Sequence, residues 1–290
     1  MILKKIREED INYFFYLLKK NPLTICGAII ILLIILCAIF APFIAPYPED
    51  RGAPLKLSER LQPPSKDHLF GTDEMGRDIF SRIIFGCRIS LKIGILVVLI
   101  SMTIGSVLGV LAGYFGGIVD IIIMRLTDIF LSIPALMLAL AIGAVLGPSL
   151  ENAMLAIVVV WWPWYARLVR GTVLSVREEP YVESARAVGA SNFRIIMRYI
   201  LPNSISPAII QASLDFGYTI LTAASLGFLG VGAQPPTPEW GLMVSIGRKV
   251  FPTFWWCATF PGFAIFITVI GFNLLGDGIR EMIDPRLRVR

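Results

Sequence analysis

Charge is scarce in this sequence, and so are the side chains from which enzymes build active sites. Only 16% of its 290 residues are Asp, Glu, Lys or Arg, against about a quarter in soluble domains, so the chain lacks the polar surface that a water-dissolved fold needs. One histidine is present, His68. No partner ligand stands near it in sequence, and a metal or catalytic role for it is not expected. The cysteines Cys26, Cys37, Cys87 and Cys257 show no CxxC spacing, which argues against a zinc site and against a disulfide-built fold. No G-x-x-x-x-G-K-[ST] phosphate loop occurs, so the chain does not hold ATP by that route. No bound cofactor is expected. An intramembrane enzyme would need a nucleophile with its base, or a metal cluster, and neither set is available. The formal net charge of +5 comes with no basic polar domain, so nucleic acid is not an expected partner.

Long apolar runs are what the chain has instead. A helix crosses the hydrocarbon layer in roughly 20 residues, and runs of that length recur. They predict an all-α membrane protein of about six spans: Leu23 to Ile44, Ile93 to Tyr114, Ile118 to Leu146 with a kink at Pro134, a fourth from Ala153 to the Trp161–Tyr165 aromatic cluster, Ile205 to Ala233, and Phe254 to Leu275. The first run is too long for a signal-peptide core, no cleavage site follows it, and it is expected to stay. Ser101, Gly105, Gly109 and Gly113 recur every fourth residue and predict a narrow face for close helix packing. Arg167 and Arg170, just past the fourth span, are expected to snorkel. Arg125 and Asp128 stand three apart and are expected to pair. Trp161, Trp162, Trp164, Trp255 and Trp256 read as interfacial anchors.

An even number of spans puts both termini on one side. That side carries sixteen Lys and Arg against ten on the other, which predicts cytoplasmic termini. The resulting division is a cytoplasmic tail 1–22, a first span 23–44, an external loop 45–92, a transmembrane core 93–276 that includes a cytoplasmic segment 171–203, and a tail 277–290. The external loop is expected to hold an amphipathic surface helix starting near Asp73, capped by Thr72 or Asp73, with Arg77, Asp78 and Arg82 on its wet side. A secondary carrier would show inverted repeats and several intramembrane charges. This chain has no clear repeat, and Asp215 alone lies deep in a span. A lone carboxylate there marks either a translocation route or a structural pair with a neighbouring helix.

The segment 171–203 is too polar to span. Glu178 and Glu179 precede Pro180, a good helix start. Gly189 can end that helix in the left-handed conformation, and Ser191 can cap a second one, Asn192 to Ile200, closed by Leu201 and Pro202. Ser184, Ala185, Ala187 and Gly189 make a small-residue face, with Glu183 and Arg186 beside it, suited to close approach by another protein.

These residues carry a resemblance. Tyr181 to Ser191 followed by Tyr199-Ile200-Leu201-Pro202 resembles the EAA loop of ABC-importer permeases, with Ser184 in place of the first Ala and Tyr199 in place of the Ile. His68 to Asp78, Leu226 to Gly241, and Asn273 to Gly278 with Asp284-Pro285-Arg286 are similar to signatures of the C-type permease of dipeptide and oligopeptide importers. The resemblance implies a type I importer permease fold with a coupling helix, in the cytoplasmic membrane of a prokaryote. It makes Glu183, Ser184, Ala185, Arg186, Gly189, Leu201 and Pro202 the residues that couple to an ATPase. Its implied partners are membrane lipid, a second, B-type permease, two ATP-binding subunits carrying ATP and Mg, and an extracytoplasmic solute-binding protein. Peptides are the expected substrate, with nickel or another small solute as the alternative. Asp215 is the candidate pathway residue, and Gln234, Pro235 and Pro236 are candidates for external docking.

Overall fold

The computed structural model describes residues 21–52 and 54–283; residues 1–20 of the expected tail 1–22 and the Asp284-Pro285-Arg286 signature lie outside the described residues. Four helices are long and apolar enough to cross a membrane singly: α1 (Pro22–Ile39), α2 (Ile79–Phe115), α5 (Leu150–Val176), and α11 (Trp256–Ile283), the last over Trp256–Glu281. A fifth crossing is available if α3 (Gly117–Ser132) and α4 (Ala135–Leu146), bent by 92° at Pro134, count as one. The expected count was about six. The difference lies in α9 (Ser206–Phe228), which is 23 residues long but diluted by Gln211, Asp215 and Thr219. These polar residues turn toward neighbouring helices instead of lipid.

Between α5 and α9 the chain makes α6 (Pro180–Ala187), α7 (Asn192–Ile195), a π turn Ile196–Ile200 and α8 (Leu201–Ser204). Between α9 and α11 lies α10 (Trp240–Gly247). Residues 45–78 fold over one end of the bundle, here the capped end. The α6–α8 segment forms an elbow at the other, next to the end of α2, whose Tyr114 hydroxyl donates to Asn192 Oδ1 at 2.8 Å.

The small-residue face packs as the spacing predicts. A Cβ on Gly105 would lie 2.4 Å from the Trp162 carbonyl oxygen, and one on Gly109 would lie 2.6 Å from that of Ala166. The α2 and α5 backbones therefore touch where no side chain fits, the usual basis of helix association in lipid.

Several boundaries differ from expectation for local physical reasons. The first span ends at Ile39 instead of Ile44, with a separate turn at Ala41–Ile44. No separate surface helix starts at Asp73. Gly76 has φ +79°, a left-handed turn that a side chain would drive into the Lys56 carbonyl. Asp73 instead accepts from the N–H groups of Met75 and Arg77, and the helix begins at Ile79 with Asp78 as its N-cap. The fourth span is longer than expected because Pro163 is accommodated inside α5, as membrane helices allow. Arg167 and Arg170 then lie within the helix. Arg167 pairs with Asp128, and Arg170 Nη2 donates to Asp120 Oδ2 at 2.6 Å. Asp128 is thus taken by α5, and no Arg125–Asp128 bridge forms among the described residues. The last span, expected to end at Leu275, continues as helix to Ile283. Trp256 is buried and donates its indole N–H to the Thr72 carbonyl at 3.3 Å, which makes it a core residue and not an interfacial anchor.

Candidate functional site

The elbow is built from two caps. Pro180 opens α6 behind Glu179. Gly189, at φ +77°, closes it, with the Ala190 N–H donating to the Ala185 carbonyl and the Gly189 N–H to that of Arg186. That double pattern is a Schellman ending, which needs the left-handed residue glycine supplies. Ser191 Oγ then accepts the Arg194 N–H and starts α7. The helix expected to reach Ile200 leaves α geometry at Ile196. The π turn precedes Pro202, whose nitrogen has no proton to donate. Asn203 Nδ2 donates to the Tyr199 carbonyl at 2.7 Å in the same turn.

One side of the elbow is welded to the bundle. Val182, Ala185, Ile195 and Ile200 are buried in one core with Tyr114 of α2, Tyr165, Val169 and Val173 of α5, and Ala208 and Ala212 of α9. Ala185 belongs to this inner face, 6% exposed, and is not offered to an approaching partner as its small size implied. The Arg186 guanidinium lies over the Tyr114 ring at 5.5 Å.

The other side is open. Glu183, Ser184, Ala187 and Gly189 are exposed, and a Cβ on Gly189 would meet nothing within 4 Å. Flanking them are two large apolar side chains that sequence reasoning passed over, Val188 at 84% and Phe193 at 75% exposed. Arg186, Arg194 and Arg198 surround them, also exposed. Their signal was present in sequence: an apolar residue beside a glycine cap, and another within the first turn after a serine cap, have no internal face to occupy. Leu201 is partly buried and Pro202 exposed, both at the foot of α9.

At the capped end, charge is enclosed. Asp50 is fully buried; its Oδ2 accepts the Asp78 N–H at 2.7 Å and its Oδ1 lies 3.0 Å from Lys56 Nζ. Burial pulls the Lys56 ammonium down, but Asp50 and Glu49 outweigh it and hold it above the usual lysine range. Arg77 is held by Asp73 at 2.7 Å. Arg82 Nη1 donates to the Asp50 carbonyl at 2.9 Å, and Nη2 to that of Pro236 at 3.2 Å. Arg77, Asp78 and Arg82, expected on a wet face, are all 2% exposed or less. His68 Nδ1 lies 3.0 Å from Asp78 Oδ1, so the lone histidine helps position an N-cap. Gln234, Pro235 and Pro236 are exposed at this end. Asp215 is buried within the bundle, its Oδ1 accepting from Gln211 Nε2 at 2.9 Å.

Known proteins share this layout. Residues 105–289 match the binding-protein-dependent transport system inner membrane component domain, and residues 12–64 match the N-terminal TM domain of oligopeptide transport permease C. A dipeptide transport system permease protein of Alkalihalophilus pseudofirmus is 50% identical over 94% of this chain and 89% of its own length. A probable D,D-dipeptide transport system permease protein of Escherichia coli is 52% identical over 93% of this chain and 90% of its own length. A glutathione transport system permease protein of Pectobacterium atrosepticum is 44% identical over 93% of this chain and 89% of its own length. Among solved structures, a chain of the methionine ABC transporter in an inward-facing conformation superposes with a TM-score of 0.55 at 19% identity, covering 70% of this chain and 97% of that one. The fold is therefore that of a type I importer permease, and the chain belongs to the binding-protein-dependent transport system inner membrane component family, the permease subunits of ABC importers.

Proposed function

We propose that this chain is one half of the translocation pathway of an importer for di- and oligopeptides, driven by separate ATP-binding subunits that hold ATP and Mg and engage the elbow. The observation that carries the reading is the exposed face of Val188, Gly189 and Phe193. Two apolar side chains exposed together on an element otherwise welded to the bundle suit a surface that another protein covers. Its basic rim calls for acidic groups on that partner. Motion enters through Glu183, Ser184, Arg186 and Gly189, and passes through buried Ala185 to the core shared by α5 and α9. Leu201 and Pro202 mark the hinge at the foot of α9.

The remaining partners follow from the other surfaces. An apolar groove of about 570 Å³, lined by Leu136, Leu221, Phe228, Val244, Ile265 and Phe266, is the face assigned to the second, B-type permease. The capped end, with Gln234, Pro235 and Pro236 at its rim, receives an extracytoplasmic solute-binding protein. This arrangement puts the elbow and both termini in the cytoplasm of a prokaryote. The peptide assignment draws its support from relatives at 44–52% identity named for dipeptide, D,D-dipeptide and glutathione transport. The test is uptake of labelled di- and tripeptides into proteoliposomes holding the chain with its partner permease, ATPases and binding protein. ATP-dependent peptide accumulation is expected. Uptake of nickel but no peptide, or transport by the chain alone, would overturn the reading.

A further inference from the structure

The longest helix among the described residues joins the two ends of the bundle. α2 runs unbroken for 37 residues, about 55 Å at 1.5 Å per residue. Both of its ends are tied to surfaces that the proposed function assigns to partners. At the capped end Arg82 Nη2 donates to the Pro236 carbonyl at 3.2 Å. One residue on, the Ile83 carbonyl accepts the indole N–H of buried Trp240 at 3.1 Å, and the Trp240 ring sits where a side chain on Gly86 would be. The first turns of α2 are thereby fixed to the loop of Gln234, Pro235 and Pro236 and to the start of α10.

At the other end one side chain reaches both elbow helices. Tyr114, 8% exposed, donates its hydroxyl to Asn192 Oδ1 of α7 at 2.8 Å, while the Arg186 guanidinium of α6 lies over its ring at 5.5 Å. Its ring packs in the core that also holds Val182, Ala185 and Ile195 of the elbow. Between the two ends, Gly105, Gly109 and Gly113 bring α2 against the α5 backbone, a contact that fixes one helix to the other in lipid.

We propose that α2 is the strut linking the external docking loop to the elbow, and that Tyr114 is the positioning residue at its inner end. Movement of the elbow passes through Asn192 and Arg186 to Tyr114, along α2, and through Arg82 and Ile83 to the loop that meets the solute-binding protein. Coupling between two binding sites is reciprocal, so docking of the loaded binding protein acts on the ATP-binding subunits by the same route.

This inference rests on the importer reading, and the experiment separates the two. The complete reconstituted importer carries Tyr114→Phe, Asn192→Ala or both. ATP turnover is measured with and without peptide-loaded binding protein, and the affinity for that protein with and without a non-hydrolysable ATP analogue. Tyr114→Phe keeps the ring and its place under Arg186 and removes only the hydroxyl. Asn192→Ala removes the acceptor from the other side, at an exposed position. Stimulation of ATP turnover by the binding protein is expected to fall about threefold to tenfold in each, the weight of one hydrogen bond, and no further in the double variant. The effect of nucleotide on binding-protein affinity should weaken in the same variants. A residue that only stabilised the fold would lower the yield of assembled complex and leave both ratios unchanged. Full stimulation in either single variant, or losses that multiply in the double variant, would overturn the proposal while leaving the importer reading intact. A wild-type chain that binds no ATPase would sink the importer reading instead.

Discussion

The two ends of this bundle handle charge and apolar surface in opposite ways. At the capped end Asp50, Arg77, Asp78 and Arg82 are all buried, and each finds its partner within the chain. At the elbow Glu183, Arg186, Arg194 and Arg198 are exposed, and so are Val188 and Phe193. Burying charges costs free energy unless they are paired, and the capped end pairs its buried charges within the chain. The elbow leaves its bonding capacity open. That open apolar and charged surface is the one proposed to meet the ATP-binding subunit.

The contrast can be broken at the capped end. Arg82→Ala leaves the carbonyls of Asp50 and Pro236 and the Asp73 carboxylate without their cation. Removing one partner of a buried charged network costs about 3–5 kcal/mol, so folded protein in detergent should be nearly lost, as read by thermal unfolding and size-exclusion. The equivalent truncation at the elbow, Arg194→Ala, should change stability by less than about 0.5 kcal/mol. Equal effects at the two ends would erase the distinction.

The welded middle of the bundle should respond next most strongly. Gly105→Val places side-chain atoms where the Trp162 carbonyl and the Tyr165 Cβ already sit, within 2.4 and 2.5 Å of a Cβ. Such overpacking costs about 1–3 kcal/mol and should lower the unfolding midpoint of the purified subunit. Gly189→Val, with open space around it, should leave folding nearly intact apart from the strain of its positive φ, and should act on ATPase engagement instead.

The smallest effect concerns pH. Glu239, buried at the N-cap of α10, has its carboxyl pushed up by burial, against the opposing pull of the Gly241 and Leu242 N–H groups that it accepts. A raised carboxyl contributes stability that is intact below the ordinary glutamate range and is lost as pH rises through the raised value. Glu239→Gln removes that dependence. The midpoint of the wild type minus that of the variant should therefore shrink as pH rises above the ordinary glutamate value of about 4. A difference that grows with pH would mean that the two N–H bonds dominate over burial.

What was legible in the sequence was local. Apolar runs gave the spans, the four-residue period of Gly105, Gly109 and Gly113 gave the α2–α5 weld, and Pro180, Gly189 and Ser191 gave the elbow its caps. What was not legible depended on distant partners. Asp120 meets Arg170 and Arg82 meets Pro236 across 50 and 154 residues, and nothing near either residue announces it. The periodicity of Ile79, Phe80 and Ile83 belongs to the start of α2, whereas Met75 stands outside it, because the left-handed Gly76 forbids an earlier helix. Ala185 misled because smallness suits an inner packing face as well as an outer docking face. Only the neighbours decide which, and they bury it. The elbow was approached through motif spacing, yet the exposure of Val188 and Phe193 emerged only once side chains had positions.

The central claim is that the open face of the elbow is where the ATP-binding subunit docks. Its most direct test puts a photo-crosslinking side chain at Phe193 and a control at Leu69, exposed at the capped end, in the assembled importer. Irradiation should join the Phe193 position to the ATP-binding subunit and leave the Leu69 position unlinked to it. Linkage of Phe193 to the solute-binding protein, or of Leu69 to the ATPase, would contradict the account.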